Sequence, residues 1–234
     1  MPSNPTDPPT EDNADKAEKL GLQESFSALL VQGHVLNRDE HAAHVVELLK
    51  DTDAVKGFII AGGNRDAVAL IQENDSFLVQ TCGWNLLASN LKNNIFPNHL
   101  AERALVDLGV CRLMTSSLLT CTNLDYFADL MSIFRCIFGK SDVLMDKFVS
   151  TDGAVVALCN IVNQLDETSY TDIPLNYLAT WLEMVKRMSK MMSDEDKQNV
   201  IKENGLTVFG MLKWHFKNVP ELGTLVDEVL MGLF

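Results

Sequence analysis

Few side chains in this sequence stand where chemistry could be done. His41 and His44 are three residues apart, a spacing that puts two imidazoles on neighbouring positions of one helix face, where they could share a metal ion with Glu40 or Glu47. The sequence offers no clear third and fourth donor, so the pair reads as one exposed and one half-buried histidine. No metal and no other cofactor is expected. Cys111 and Cys136 adjoin Arg112 and Arg135, and a thiol beside a cation is the starting point of a cysteine nucleophile. Successive residues of a helix do not face each other, however, and Cys136 sits inside the apolar run SIFRCIF, so both cysteines read as core. The sequence carries no phosphate-binding G-x-x-x-x-G-K-[ST], no G-x-G-x-x-G, no G-x-S-x-G and no H-E-x-x-H. No catalytic residue is assigned and an enzyme is not expected.

The remaining candidates are suited to recognition. Trp84 and Trp181 are large rings that can anchor a ligand or fill a core. Arg135, Lys186 and Arg187 could reach an acidic partner. The stretch 184–192, MVKRMSKMM, holds four of the ten methionines together with three basic residues, and flexible thioethers suit an adaptable surface as well as a core. Around them the chain is acidic, with 19 Lys and Arg against 32 Asp and Glu and a net charge of −13. That balance opposes nonspecific binding to nucleic acid or anionic membrane, both of which need a basic footprint. It favours basic or amphipathic protein segments as partners.

The elements that must position these residues are helices. From residue 16 onward apolar side chains recur at three- and four-residue intervals, as in AAHVVELL, FADLMSIFRCIF and YLATWLEMVKRM, which is helix spacing and not strand alternation. Short polar breaks such as Lys92-Asn93-Asn94, Gly139-Lys140-Ser141-Asp142 and Ser193-Asp194-Glu195 separate the segments. Ser193, followed three residues later by Asp196, predicts a helix N-cap. Residues 1–15, with four of the seven prolines among polar and acidic residues, read as a disordered leader, and 16–234 as one domain. No segment has the uninterrupted apolar run of a membrane span. Five cysteines without a C-x-x-C pair suit a reducing compartment. Cytoplasm is expected, with the nucleus as alternative.

Glycines that precede apolar helical stretches mark a longer period. Gly21, Gly63, Gly109, Gly153 and Gly205 are separated by 42, 46, 44 and 52 residues, against roughly 40 to 47 for armadillo and HEAT units. The long last interval places an insertion at 167–174. The motif Gly153-Ala154-Val155-Val156-Ala157-Leu158 resembles the glycine turn and second-helix start of an armadillo repeat. Phe58-Ile59-Ile60-Ala61-Gly62-Gly63 resembles a first helix entering that turn, and Val79-Gln80-Thr81-Cys82-Gly83-Trp84-Asn85-Leu86 is similar to the start of a third helix. Repeats are drawn at 16–61, 62–107, 108–151, 152–203 and 204–234, covering nearly the whole chain.

The resemblance implies an all-α, right-handed solenoid of about five armadillo-like repeats, with a groove lined by third helices that takes an extended or helical segment of another protein. It implies ligand-facing positions at Trp84 with Asn85, at Trp181 once the insertion is allowed for, and near His44 in the first repeat. Arg135 and Lys186 fall on third helices. Nuclear import adaptors of the family carry an Asn four residues after such a Trp; here Ala88 and Val185 stand there, which departs from that pattern. The expected function is a noncatalytic scaffold or adaptor. A co-chaperone or nucleotide-exchange regulator and a component of a cytoskeletal or ciliary assembly are the alternatives. The closing LVDEVLMGLF is apolar at helical spacing without a polar cap. Either a homodimer or larger assembly, a docked partner, or a longer solenoid is expected to cover it.

Overall fold

The computed structural model describes residues 21–31, 38–92, 95–165, 172–203 and 205–234. The leader expected over 1–15 and most of the insertion expected over 167–174 lie outside them. The described residues form helices and no strands: α1 (Leu22–Leu30), α2 (Arg38–Leu48), α3 (Thr52–Ile60), α4 (Gly63–Glu73), α5 (Phe77–Lys92), α6 (Asn98–Asp107), α7 (Val110–Leu119), α8 (Leu124–Ile137), α9 (Asp142–Val149), α10 (Ala154–Gln164), α11 (Leu175–Ser189), α12 (Asp194–Lys202), α13 (Gly205–His215) and α14 (Pro220–Leu233). The chain divides into two compact units, Met1–Leu87 and Ala88–Phe234.

A triplet of helix lengths recurs. Short helices of 9, 10, 8 and 9 residues (α3, α6, α9, α12) lead into helices of 11, 10, 11 and 11 (α4, α7, α10, α13). These are followed by helices of 16, 14, 15 and 14 (α5, α8, α11, α14). The first-to-second turns are built alike. Ala61 and Leu108 donate to the carbonyls four residues back, Gly57 and Ala104, each at 3.0 Å. Gly62 and Gly109 then donate to the carbonyls three back, Ile59 at 3.0 Å and Val106 at 2.9 Å. Both glycines are left-handed, with φ of 101° and 72°, a conformation that costs other L-residues about 1–2 kcal/mol. Gly153 repeats it at 73°. In the first of these turns the left-handed residue is Gly62. Gly63 belongs to α4, packed so closely that an added Cβ would lie 2.7 Å from the Phe58 ring. Gly21 is extended, and Gly205 opens α13.

Polar side chains start the helices. Asp51 accepts from the amides of Asp53 and Ala54, and Asn123 and Ser141 from those of Tyr126 and Leu144. Ser193 and Asp196 form a reciprocal capping box, satisfying donors that a helix N-terminus leaves free.

Within the first unit α1 packs on α2, α3 and α4, with the Phe26 and Phe58 rings 5.0 Å apart. Arg38 donates to the Leu29 carbonyl at 3.2 Å and to the Asn74 side chain, joining the start of α2 to the ends of α1 and α4. Within the second unit equivalent helices of successive triplets stack. First helix α6 meets α9; second helix α7 meets α10, which meets α13; third helix α8 meets α11, which meets α14. Each apolar face is thus buried against the same face of the next triplet, the packing by which a helical repeat gains a core it cannot build alone. Phe134, Phe138 and Phe148 make a ring cluster, with centroids 4.7 to 5.0 Å apart, that fastens α8 to α9. Each such pair contributes about 0.5–1.5 kcal/mol beyond its area.

Candidate functional site

The row of third helices α8, α11 and α14 has one side inside the second unit and one outside. On α8 the inner side is Tyr126, Phe127, Leu130, Met131, Phe134 and Ile137, all buried. The outer side shows Asp125, Ser132 and Arg135. On α11 the buried set is Leu178, Trp181, Leu182, Val185 and Met188; the outer side shows Glu183 with half-buried Met184, Lys186 and Arg187, followed just past the helix end by exposed Lys190 and half-buried Met191. On α14 the outer positions include Glu221, Thr224, Glu228 and Met231.

Two cations on this face are already engaged. The Lys186 ammonium lies 2.8 Å from the Glu228 carboxylate, linking α11 to α14. Its hydrogen bond to Glu228, aided by the charges of Glu183 and Glu228, raises the lysine above its ordinary pKa. Arg187 pairs with Asp142 and donates to the carbonyls of Phe138 and Gly139. It thereby caps the end of α8, where helix carbonyls are left without amide partners. Arg135 is exposed on α8.

The tryptophans lie elsewhere than the family resemblance implies. Trp84 and Trp181 have no exposed surface. Trp181 donates its indole N–H to the Leu158 carbonyl of α10 at 2.8 Å and stacks on Phe209 of α13, with centroids 5.7 Å apart and planes 22° from parallel. It therefore fills the seam between two second helices. Neither indole presents surface to a ligand in this conformation. The reason is positional: Leu130 of α8 and Val226 of α14, at the same distance from their helix starts as Trp181, are buried too. Asn85 is half-buried on α5.

His41 is buried and His44 half-buried, with ring centroids 6.5 Å apart and neither Nε2 atom hydrogen-bonded among the described residues. Burial, with the neighbouring His44 charge, lowers the His41 pKa. No group of three metal donors occurs among the described residues. Of the thiols, Cys111, Cys121 and Cys159 are raised to about 11, about 12 and about 12, in each case mainly by burial, the opposite of what a thiolate nucleophile needs. Cys136 is half-buried. The structure thus brings Arg135, Trp181 and Lys186 onto adjoining helices but turns Trp181 inward. Glu228, which binds Lys186, escapes the sequence reading because cross-repeat partners lie 42 positions apart, with no local signal.

No family model and no curated protein matches the chain. Among solved structures, two crystal structures of engineered proteins are similar to it. Both align over 91% of the chain at 19% identity, with TM-scores of 0.57 and 0.58, and cover 78% and 48% of the engineered chains. A designed armadillo repeat protein in complex with the peptide (KR)4 aligns over 91% of this chain and 99% of its own at 12% identity, with a TM-score of 0.41. At the first two scores the likeness is one of fold, and it accords with an all-α solenoid of helical repeats.

Proposed function

We propose that the chain is a noncatalytic protein-binding scaffold or adaptor that holds an extended or helical segment of a partner across its third helices. The observation that carries this reading is the row α8, α11 and α14. These helices stack within the second unit and turn outward a continuous mixture of both charges, hydroxyls and methionines. Arg and Met are enriched at interfaces, and methionine adapts to varied partners. Arg135, Glu183, Lys190 and Met184 are the contacts we assign there. Lys186 joins them by exchanging Glu228 for a partner carboxylate. In the first unit we assign Asn85 and His44 as contacts of that unit. The raised thiol pKa values support a role without cysteine chemistry.

The repeats are read as armadillo units because each full one has three helices in the order short, medium, long. We take 16–234 as one repeat domain. Among the described residues no helix is long and apolar enough to cross a membrane. The five free cysteines support a reducing compartment, cytoplasm or nucleus.

Site-specific photocrosslinking tests the proposal. A photoreactive residue is placed at Arg135 or Lys190, or at exposed Glu195 on the first helix α12. One partner protein should be captured from both 135 and 190 and not from 195. Capture that is equal at all three positions, or strongest at 195, overturns the third-helix assignment.

A further inference from the structure

A groove lies away from the third helices. Residues of α6, α7 and α9, with the turn after α9, line a groove of about 790 Å³. One wall is a stripe of α7 containing Arg112, Ser116 and Leu119; the other is Lys147 with Ser150, Thr151 and Asp152. From Arg112 to Leu119 is seven residues, about 10 Å along the helix axis, the span of three or four extended residues.

The groove's chemistry is unusual for so acidic a chain. Arg112 and Lys147 are both exposed, and neither forms an ion pair among the described residues. Arg112 and Lys147 outweigh Asp152, the one acidic residue of the lining, so the groove is locally positive in a protein of net charge −13. Leu119, 57% exposed, and half-buried Val106 give the groove an apolar side. The hydroxyls of Ser150 and Thr151 each donate at 2.8 Å to a carbonyl of the preceding turn. The Ser150 oxygen is therefore left as an acceptor, suited to a backbone amide of an extended chain, while the Thr151 hydroxyl is also hydrogen-bonded to the Cys111 side chain. Asp152 lies at the same wall and disfavours a compact polyanion such as a free phosphate cluster.

We infer that this groove binds an extended acidic peptide segment of a partner protein, with carboxylates at Arg112 and Lys147 and an aliphatic side chain against Leu119 and Val106. The inference does not rest on the third-helix reading, since no residue is shared. Fluorescence anisotropy of a labelled acidic heptapeptide, EEVEVEE, against the full chain tests it. Saturable binding should weaken about tenfold or more in the Arg112→Glu/Lys147→Glu double variant, the effect of about 1.4 kcal/mol. It should weaken again as salt rises, because exposed charges are screened. Leu119→Asp should weaken it independently, Lys202→Glu on α12 should leave it unchanged, and a KKVKVKK peptide should bind the charge-reversed variant in place of the acidic one. The inference is overturned if the wild type shows no saturable binding, or if the double variant, shown folded by circular dichroism, binds equally well. It is also overturned if Arg112 and Lys147 are needed for cosedimentation with phosphatidylserine vesicles or for RNA binding and not for the peptide.

Discussion

His41 on α2 is a residue whose ionisation bears directly on stability. An imidazole titrates at about 6.5 when free, and His41 is held below that by burial and by His44. Its folded form therefore binds fewer protons than its unfolded form. The stabilisation from keeping it neutral is complete above the unfolded value and is lost as pH falls through the window below about 6.5 towards the folded pKa. Chemical denaturation at pH 7.5 and pH 5.5 should show a lower midpoint at the acidic pH, and His41→Gln should flatten that difference. Carboxylates titrate mostly below this window, so an undiminished acid loss in the variant would mean that His41 is not the group responsible. At this scale the sequence was informative about residue type and poor about direction. It marked His41, Trp84 and Trp181 as notable, yet which side of a helix a ring faces depends on the neighbour it meets. Trp181 meets Leu158 and Phe209, 23 and 28 positions away, and no local pattern encodes that encounter.

Elements were more legible, because their signals are local. Ser193 is the expected N-cap, and with Asp196 it forms a capping box; Gly109 and Gly153 of the glycine period fall at first-to-second turns. Gly62 in place of Gly63 as the left-handed residue reflects two adjacent glycines with different duties: one supplies the φ and the other the room against Phe58; of the other period-marking glycines, Gly21 is extended and Gly205 opens α13. Glycine substitutions should therefore split by sign. Gly109→Ala keeps the turn's hydrogen bonds but forces a Cβ into φ of 72°, and should cost about 1–2 kcal/mol. Gly210→Ala lies inside α13, where an added Cβ meets nothing within 4 Å, and should gain about 0.5–1 kcal/mol by lowering unfolded-state entropy and raising helix propensity. Urea titrations of both variants check the pair. Destabilisation by Gly210→Ala would mean that the exposed side of α13 is covered in solution.

For the molecule as a whole, the repeat period made the all-α solenoid legible, since stacking like helices is the one arrangement that gives near-equal spacing a purpose. Surfaces were less so, because exposure is decided by which repeat follows. In the last two helices Trp214, Met231 and Phe234 are 68%, 71% and 81% exposed. Trp214 is edged by His215 at 5.0 Å and approached by Lys217 at 5.9 Å. Apolar side chains so exposed cost free energy in water that a stacked neighbour would recover, at about 25 cal/mol per Å² of apolar surface buried. The other exposed large apolar residues, such as Val31, Leu100 and Val143, come one to a helix, whereas Met231 and Phe234 stand three apart on α14 and its cap, one helix face. Self-association through this end is the outcome expected of the isolated chain. Sedimentation velocity over two decades of concentration should show a rising weight-average mass for the wild type and a constant monomer mass for Met231→Glu/Phe234→Glu. A wild type that stays monomeric throughout would assign the face to a different protein and remove the second copy as its occupant.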